Sequence, residues 1–470
     1  MDDKKLTEIV PTPRQFRFQQ LEFYAFIHFT VNTFTDKEWG DGTESPDIFD
    51  PVMFDAKQWV SAVKSAGMRG LILTCKHHDG FCLWDCKLTD HTVMHSPFGR
   101  DLVLEVSKAC KEEGIAFGVY LSPWDRNSHL YGRGKEYDDF FIGQLSELLT
   151  AYGEIFSVWF DGACGEGPNG KKQYYDWERY YALIRRLQPN ACISVCGPDI
   201  RWCGNEAGHT RKAEWSVVPL STRDSEKIAE KSQQEDNTEF RRRIDVRDED
   251  LGSRTALANA DELIWYPAEV NTSIRPGWFW HESENDKLRT LKELVDIYIR
   301  AVGGNATFLL NIPPARNGLI HDNDVHRLAE LGEYIKKAFS ENLVPQAKLA
   351  CNSKTKDDDM ENLVKDSYDS SFEASAGKAD ILIELPKEEK LGYIIIKENI
   401  LKSQRVENFA IDIFENGEFS EIYRGTTIGY KRIIPLNGVE TDRIQIRITD
   451  SRLNPVLSFI GIYRYKQIGG

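Results

Sequence analysis

The chain has 470 residues, and its hydrophobic (41%) and charged (28%) fractions are those of a globular protein large enough for two domains. A formal net charge of −15 argues against nucleic acid as a partner, because phosphate binding requires clustered Lys and Arg side chains. No apolar run is long enough to span a bilayer, so we expect no membrane span.

Strand and helix signals alternate along the first 340 residues or so. The predicted strands are 24–31, 69–78, 115–123, 155–163, 191–198, 214–219 (the weakest), 262–270 and 306–314, with helices at 55–67, 101–114, 137–153, 177–189, 288–302 and 324–339. About eight strand–helix units predict an α/β protein with a (β/α)₈ TIM-type barrel. A doubly wound open sheet is the alternative, but no glycine-rich phosphate turn follows the first strand.

Two later segments differ from this pattern. The segment 221–261 mixes charges with little apolar periodicity, which indicates a solvated loop or a lid over the barrel mouth. Beyond Ser340, after a polar linker at 354–371, short strand patterns recur at regular spacing without helices between them. We therefore predict a barrel domain at 1–340 and a β-sandwich at 341–470. The sandwich resembles galactose-binding modules but has no aromatic cluster that can be assigned to a sugar, so we expect a structural domain packed on the barrel, with an independent sugar binder as the alternative.

Cysteine usage does not indicate a framework of disulfides or metal ligands. The nine cysteines are an odd number, and the closest pairs have three residues between them instead of the two of common zinc or redox motifs. Several cysteines fall inside apolar strand patterns, where a thiol behaves as a small hydrophobe. We expect buried, reduced thiols.

Polar and aromatic residues follow the predicted strands where each strand leaves the core. The clearest case is the apolar run 155–163, which ends on Asp161 beside a glycine. The carboxyl ends of parallel barrel strands form one rim, so we expect these side chains to meet there. Carboxylates, imidazoles and tryptophans on one rim are typical of a sugar site. The candidates are His28, Glu38, Trp39, His77, His78, Tyr120, Trp159, Asp161, Arg201, Glu206, Glu269 and Trp278.

Each candidate also has a structural alternative. A tryptophan at a strand end is more often a packing residue, and Glu206 could simply cap a turn. A metal site at His28, His77, His78 and Asp79 is disfavoured, because adjacent residues of a strand point to opposite sides and no HExxH-type spacing is present. The prediction therefore rests on the joint placement of the candidates.

Glycoside hydrolysis is the chemistry that such a rim performs. A retaining enzyme needs two carboxyl groups about 5 Å apart, one ionised to attack the sugar and one protonated to release the leaving group. Asp161 is the better nucleophile candidate because a strand end holds it. Glu206 lies in a glycine-flanked loop, from which a longer acid can reach the glycosidic oxygen, and Glu269 is its rival for the acid/base role.

Several motifs together resemble the α-L-fucosidases of glycoside hydrolase family 29. The resemblance extends from about Gln15 to Phe339 and, more loosely, over the C-terminal part. The motifs are Phe26-Ile27-His28-Phe29, Glu38-Trp39-Gly40, Lys76-His77-His78-Asp79-Gly80-Phe81, Trp159-Phe160-Asp161-Gly162 and Gly303-Gly304-Asn305 with Leu310-Asn311-Ile312.

The resemblance implies a retaining exo-hydrolase of terminal α-L-fucose that needs no metal or organic cofactor. Asp161 matches the family nucleophile, and Trp278 is expected to pack on the fucose methyl group. The segment from Arg201 to Glu206 is similar to the acid/base segment of the subgroup that prefers α-1,3/1,4-linked fucose on Lewis-type sugars. The positions expected to line the fucose pocket are His28, Glu38, Trp39, His77, His78, Tyr120 and Trp159.

Three rival functions remain at this stage: a non-catalytic carbohydrate-binding barrel, a retaining glycosidase for another sugar, and a metal-dependent hydrolase. The expected partners are fucosylated oligosaccharides or glycoconjugates. The N-terminal sequence MDDKKLTEIVPTPRQ has no hydrophobic signal core. We nevertheless expect a periplasmic or secreted protein, because fucosylated glycans are met outside the cytoplasm.

Overall fold

A computed structural model describes residues 2–223, 250–353 and 357–469. Most of the charged loop predicted at 221–261, including 239–243, lies outside these residues, as does the start of the linker predicted at 354–371. None of the helices in the described ranges has the length and apolar character needed to cross a membrane.

Eight parallel strands form a barrel in the first part of the chain. Their spatial order is fifth, fourth, third, second, first, eighth, seventh and sixth along the chain. The two end strands approach each other where Val195 N donates to Ile200 O at 3.0 Å, next to a parallel bridge between Ser194 and Ile200. This near-closed sheet confirms the predicted (β/α)₈ barrel. Within the described residues the first ten strands, of which β7 and β8 lie outside the barrel, are β1 (Phe23–Ile27), β2 (Gly70–Lys76), β3 (Ala116–Leu121), β4 (Ser157–Phe160), β5 (Cys192–Val195), β6 (Arg201–Trp202), β7 (Val217–Pro219), β8 (Leu263–Trp265), β9 (Ala268–Ser273) and β10 (Ala306–Asn311).

Helices surround the barrel and cover the outer face of its strands. Every residue of β1 and β2 is buried, as expected when side chains on both faces of a parallel sheet are covered. Local sequence determines where the helices begin: the Asp55 side chain, for example, accepts hydrogen bonds from two backbone N–H groups of the first turn. The helices are Asp3–Leu6, Pro13–Leu21, Val31–Thr35, Ala56–Ser65, Leu102–Glu113, Lys135–Ala151, Trp177–Leu187, Leu291–Ala301 and Asp322–Ala338.

The sixth barrel strand differs from the prediction. We predicted it at 214–219, but the barrel uses β6, which has only two residues and pairs with β9. Part of the predicted segment forms β7, which pairs antiparallel with β8 outside the barrel. The strand predicted at 262–270 is divided into β8 and β9 around Pro267, which lacks the N–H that a continuous ladder requires. A two-residue strand is too short to produce a periodic apolar signal.

The C-terminal part is an antiparallel sheet domain, as predicted. Each of its two longest strands covers two predicted short ones, and register shifts such as that between Glu384 and Glu389 interrupt their pairing. Such irregularities bend a strand, which lets a long strand curve within the sheet. The strands are β11 (Lys348–Cys351), β12 (Phe372–Glu373), β13 (Ala379–Glu398), β14 (Val406–Glu415), β15 (Glu418–Gly425), β16 (Arg432–Ser451) and β17 (Val456–Arg464).

The sheet domain packs against the barrel. Lys431 forms a buried ion pair with Glu22, just before β1, at 2.7 Å. Tyr430 N donates to the Asn305 side chain at 2.6 Å, and the hydroxyls of Tyr334 and Tyr393 lie 2.8 Å apart. These contacts fit a structural role for the domain. The boundary at residue 340 stays a prediction.

All nine cysteines lie within the described residues, and none is in a disulfide. Seven are buried, and Cys164 and Cys351 are partly exposed. Burial raises the pKa of the Cys75 thiol, so this side chain stays protonated and behaves as an apolar core residue.

Candidate active site

The carboxyl ends of the barrel strands bring most of the predicted residues together. His28 follows β1, the pair His77 and His78 follows β2, and Asp161 follows β4. Ring contacts connect these positions: His28 lies 5.6 Å from His77 and 5.9 Å from Tyr120, measured between ring centroids. The rim inferred from chain order is therefore a continuous wall of side chains.

Asp161 is held at both carboxylate oxygens and remains partly accessible. The Tyr120 hydroxyl donates to Oδ2 at 2.9 Å, and Ala163 N donates to Oδ1 at 2.9 Å. The Nε2 atom of His78 lies 3.7 Å from Oδ2. The side chain keeps 21% of its surface exposed, so a ligand can reach a carboxylate whose orientation is fixed. This is the geometry that a nucleophile requires.

His28 presents a hydrogen-bond acceptor to the pocket. Its Nδ1 lies 2.8 Å from Oδ1 of Asn311, whose amide nitrogen donates to Ser273 Oγ and to the carbonyl of Trp278. These donations assign the Asn311 oxygen to His28, so Nδ1 carries the proton and Nε2 is left as an acceptor. Burial lowers the pKa of His28 to about 4, which keeps the ring neutral at physiological pH.

His78 is in the same tautomeric state for a different reason. Its Nδ1 lies 2.7 Å from Ser122 Oγ, and that hydroxyl donates its proton to the carbonyl of Trp124. Nδ1 of His78 must therefore donate, and Nε2, on the Asp161 side, is an acceptor. Burial lowers the pKa of this ring to about 4 as well.

His77 has the opposite tautomer and lies beside His78. Asn32 donates to its Nδ1 at 3.4 Å, so the proton of the neutral ring is on Nε2. Burial is the main reason that its pKa lies well below the usual value. The two adjacent rings lie only 4.0 Å apart between centroids. The expectation that they point to opposite sides is wrong here, because both residues lie beyond the end of β2.

This arrangement could also hold a cation. Ligand atoms of His77, His78 and Asp161 all lie within 4.8 Å of one another. Two imidazoles and a carboxylate suit zinc or copper. The expectation that the protein needs no metal stays a prediction.

Aromatic rings form the remaining walls. Trp159 is stacked on Tyr120 at 5.3 Å, and Trp39 and Trp124 contact the His78 ring at 5.6 and 4.9 Å. Trp278 lies 5.3 Å from His28 on another side of the pocket. Aromatic faces beside neutral imidazoles match the apolar and hydroxyl faces of a sugar.

Glu38 holds a neighbouring loop in place. Its carboxylate accepts hydrogen bonds from Trp278 N at 2.8 Å and Phe279 N at 3.1 Å, and it pairs with His281 Nε2 at 2.8 Å. The hydrogen bond to Glu38 is the largest cause that raises the pKa of His281 to about 9. In the structure the contacts of Glu38 hold the loop that carries Trp278. The predicted contact between Glu38 and the sugar stays a prediction.

Glu206 lies at the edge of the pocket beside Trp278. Its Oε2 accepts a hydrogen bond from the Trp278 indole at 3.0 Å. The Asn205 side chain organises the loop by accepting from the backbone N–H groups of Ala207 and His209. Glu206 is partly exposed, so its carboxyl can meet a leaving group that passes the indole.

Glu269 does not reach the pocket, contrary to the prediction. Its carboxyl is fully buried inside the barrel, where it accepts hydrogen bonds from Tyr24 Oη at 2.5 Å and Trp159 Nε1 at 2.7 Å. Burial raises its pKa to about 7. With its carboxyl buried and hydrogen-bonded to Tyr24 and Trp159, Glu269 does not fit the predicted sugar contact or the acid/base role. Its role in the structure is to hold the Trp159 ring in place through the hydrogen bond from Nε1.

Arg201 also has a structural place instead of the predicted sugar contact. Its guanidinium is buried, forms an ion pair with Glu214 at 2.7 Å, and donates to the carbonyls of Trp215 and Tyr266. We predicted a sugar contact because Arg201 lies on β6, a few residues before the acid/base candidate Glu206. Its side chain is directed to the core by the buried Glu214 carboxylate.

Some residues that organise the site were not predicted as site residues. Asn32, Ser122 and Asn311 set the tautomers of the three histidines, and His281 binds Glu38. Asn311 was visible as a polar residue at the end of β10. Ser122 and Asn32 have no signal of their own in the sequence, because their role depends on which ring they face.

Comparison with known proteins agrees with this geometry. A family model described as Alpha-L-fucosidase matches residues 13–339. Alpha-L-fucosidase 1 of Arabidopsis thaliana is 37% identical over 473 residues, which cover 98% of this chain and 88% of the plant protein.

Solved structures extend the similarity to the whole fold. A Ruminococcus gnavus fucosidase of glycoside hydrolase family 29, in complex with fucose, has a TM-score of 0.84 at 30% identity and is matched over 98% of this chain and 96% of that one. A family 29 member from an unknown rumen bacterium has a TM-score of 0.81 at 36% identity, over 98% of this chain and 78% of that one. With the family model matching most of the chain and these relatives matching nearly all of it, the chain belongs to the α-L-fucosidases, glycoside hydrolases of family 29.

Proposed function

We propose that this α-L-fucosidase is a retaining exo-hydrolase in which Asp161 is the nucleophile and Glu206 the general acid/base. The observation that carries the proposal is the Asp161 carboxylate, fixed by Tyr120 and by Ala163 N yet open to the pocket. Glu206 accepts a hydrogen bond from the Trp278 indole, whose ring contacts His28 of the same pocket. The proposal requires the two carboxyl groups to reach opposite faces of C1 of the sugar.

In the first step an Asp161 oxygen attacks C1 of fucose, and the bond from C1 to the glycosidic oxygen breaks. Glu206 gives its proton to that oxygen, so the leaving sugar departs as a neutral alcohol. Glu206, now ionised, then takes a proton from water, and the water oxygen displaces Asp161 from C1. Fucose is released with its original anomeric configuration, and both carboxyl groups return to their starting states.

The neutral histidines and the tryptophans give the pocket its sugar selectivity. His28 and His78 offer acceptors, and His77 offers a donor, which suits a ligand with several adjacent hydroxyl groups. Trp278 supplies an apolar face for the fucose methyl group. The fucosidase bound to fucose, which is similar over nearly the whole chain, supports this assignment.

We further propose a preference for α-1,3/1,4-linked fucose on branched, Lewis-type glycans, which rests on the segment from Arg201 to Glu206. We also propose that the protein acts in the periplasm or outside the cell, where such glycans occur. Fractionation of the source cells tests the location: activity confined to the cytoplasm contradicts it.

The test of the mechanism is hydrolysis of an aryl α-L-fucoside and of a Lewis-type trisaccharide by wild type, Asp161→Ala and Glu206→Ala, each with and without azide. Azide should rescue Glu206→Ala on the aryl substrate and give the azide with retained configuration, whereas Asp161→Ala should give the inverted azide. The exposed Glu262→Ala is the matched control and should behave as wild type. A fully active Glu206→Ala would refute the acid/base assignment, and a trisaccharide that is cleaved no better than other fucosides would refute the linkage preference.

A further inference from the structure

Glu206 and Trp278 also line a second cavity of about 530 Å³, whose lining does not include Asp161 or the three pocket histidines. Its lining also contains His209, Lys287, Arg289 and Arg300. Glu206 and Trp278 are therefore shared between the predicted sugar site and a space with several cationic side chains. This arrangement contrasts with the net charge of the whole chain, which is −15.

Arg289 is half-buried, and the hydrogen bonds of its guanidinium go to uncharged groups. It donates to the carbonyl of Ser273 at 2.9 Å, to Thr272 Oγ1 at 2.8 Å and to the carbonyl of Ala207 at 3.4 Å. No carboxylate lies within 4.0 Å of this guanidinium in the described part of the chain. Its positive charge is therefore held rigidly beside the cavity without a direct counter-ion.

Arg300 adds a second positive charge. It is exposed, and its Nε donates to the backbone carbonyl of Asp296. Desolvation by burial lowers the pKa of His209, and the positive charges of Arg300 and Arg289 lower it further.

The acidic side chains of the same cavity are engaged elsewhere. The Asp296 carboxylate pairs with Lys292 at 2.6 Å, and the Glu293 carboxylate caps a helix by accepting from Thr290 N at 2.7 Å. Neither carboxylate lies within 4.0 Å of the Arg289 or Arg300 guanidinium, although the charge of Glu293 acts on Arg289 from a greater distance. The cavity thus offers two guanidinium groups to an incoming ligand.

The position of the cavity indicates what the ligand is. In the proposed function, Glu206 protonates the oxygen that joins fucose to the leaving sugar, so the leaving sugar must lie beside Glu206. We propose that the cavity is the subsite for the leaving group, and that Arg289 and Arg300 bind an anionic substituent of that group, either a sulfate ester or a sugar carboxylate. This inference rests on the proposed function and adds the substrate class: acidic fucosylated glycans.

The test compares kcat/KM for four substrates: an aryl α-L-fucoside, a neutral Lewis-type trisaccharide, and the same glycan with a sulfate or with a sialic acid on the sugar beside the fucosylated one. At low salt, wild type should prefer at least one anionic form over the neutral form about five- to tenfold. Arg300→Gln should lower this preference to about one- to twofold while the aryl fucoside is cleaved at the wild-type rate. The anionic form that is preferred identifies the substituent.

Two further variants strengthen the test. Arg300→Lys should keep most of the preference, because the charge remains. Lys337→Gln removes an exposed charge that pairs with Glu333 and is not part of the cavity lining. This variant should leave the preference for the anionic substrate unchanged. The inference is overturned if the neutral glycan is the best substrate or if Arg300→Gln leaves the preference unchanged. Failure to cleave even the aryl fucoside would overturn the proposed function itself, and this inference with it.

Discussion

Replacing Glu269 with Gln removes one buried ionisable group and keeps the shape of the barrel interior. The amide oxygen of Gln can accept the hydrogen bond from Trp159 Nε1, and its amide nitrogen can donate to Tyr24 Oη, which passes its own proton to Thr307 Oγ1. The variant therefore separates the charge of Glu269 from its packing. We expect the fold and the fucose pocket to be retained.

The size of the effect follows from the pKa of Glu269. Burial raises this pKa from 4.5 to about 7, so the folded protein binds more protons than the unfolded chain in that range. The wild type accordingly loses stability as the pH rises from 4.5 through 7. The loss is about 3 kcal/mol, at about 1.4 kcal/mol for each unit of pKa. Glu269→Gln lacks this loss.

Urea unfolding of wild type and Glu269→Gln at pH 4.5, 6, 7 and 8 measures the difference. All other titrating groups are shared, so the free energy of unfolding of the variant relative to wild type should rise by about 3 kcal/mol across the series. The exposed Glu262→Gln should show no such trend. A relative free energy that is constant over the whole pH range would refute the reasoning. The variant should also keep more than about a tenth of the activity, which Glu269 as the acid/base would not allow.

Three other predictions concern the site and its supports. Arg201→Ala leaves the buried Glu214 carboxylate with only the longer contacts from the backbone N–H and guanidinium of Arg211. Thermal unfolding should therefore show a loss of about 3 kcal/mol, with KM for an aryl fucoside unchanged in the folded protein. A higher KM without loss of stability would contradict this. Glu38→Gln should raise KM about tenfold, because Trp278 is held less firmly. The KM of the wild type should rise similarly as the pH passes about 9, where His281 loses its proton and its ion pair with Glu38 is lost. A chelator should leave activity unchanged, whereas added zinc should inhibit by binding Asp161 with His77 and His78; inhibition that persists in His77→Ala would place the zinc elsewhere.

The alternation of strands and helices was readable from the sequence because it depends on local patterns. Helix starts such as Asp55 and strand ends such as Asp161 are encoded by the residues themselves, and the chain order of the strands then defines the rim. For this reason the barrel, the C-terminal sheet domain and most of the aromatic and imidazole lining were predictable. The resemblance of the motifs to a known family gave the expectation that the sugar is fucose.

What the tertiary structure decided is the direction and partner of each polar side chain. Arg201 and Glu269 belong to barrel strands next to site residues, yet their side chains are held in the interior by Glu214 and by Tyr24. Strand β6 has two residues and leaves no periodic signal, so its place depends on β9 beside it. These outcomes depend on contacts between residues that are distant in the chain. Burying an unpaired polar group is costly, so each buried polar side chain is oriented toward a partner. Local sequence patterns do not indicate which partner that is.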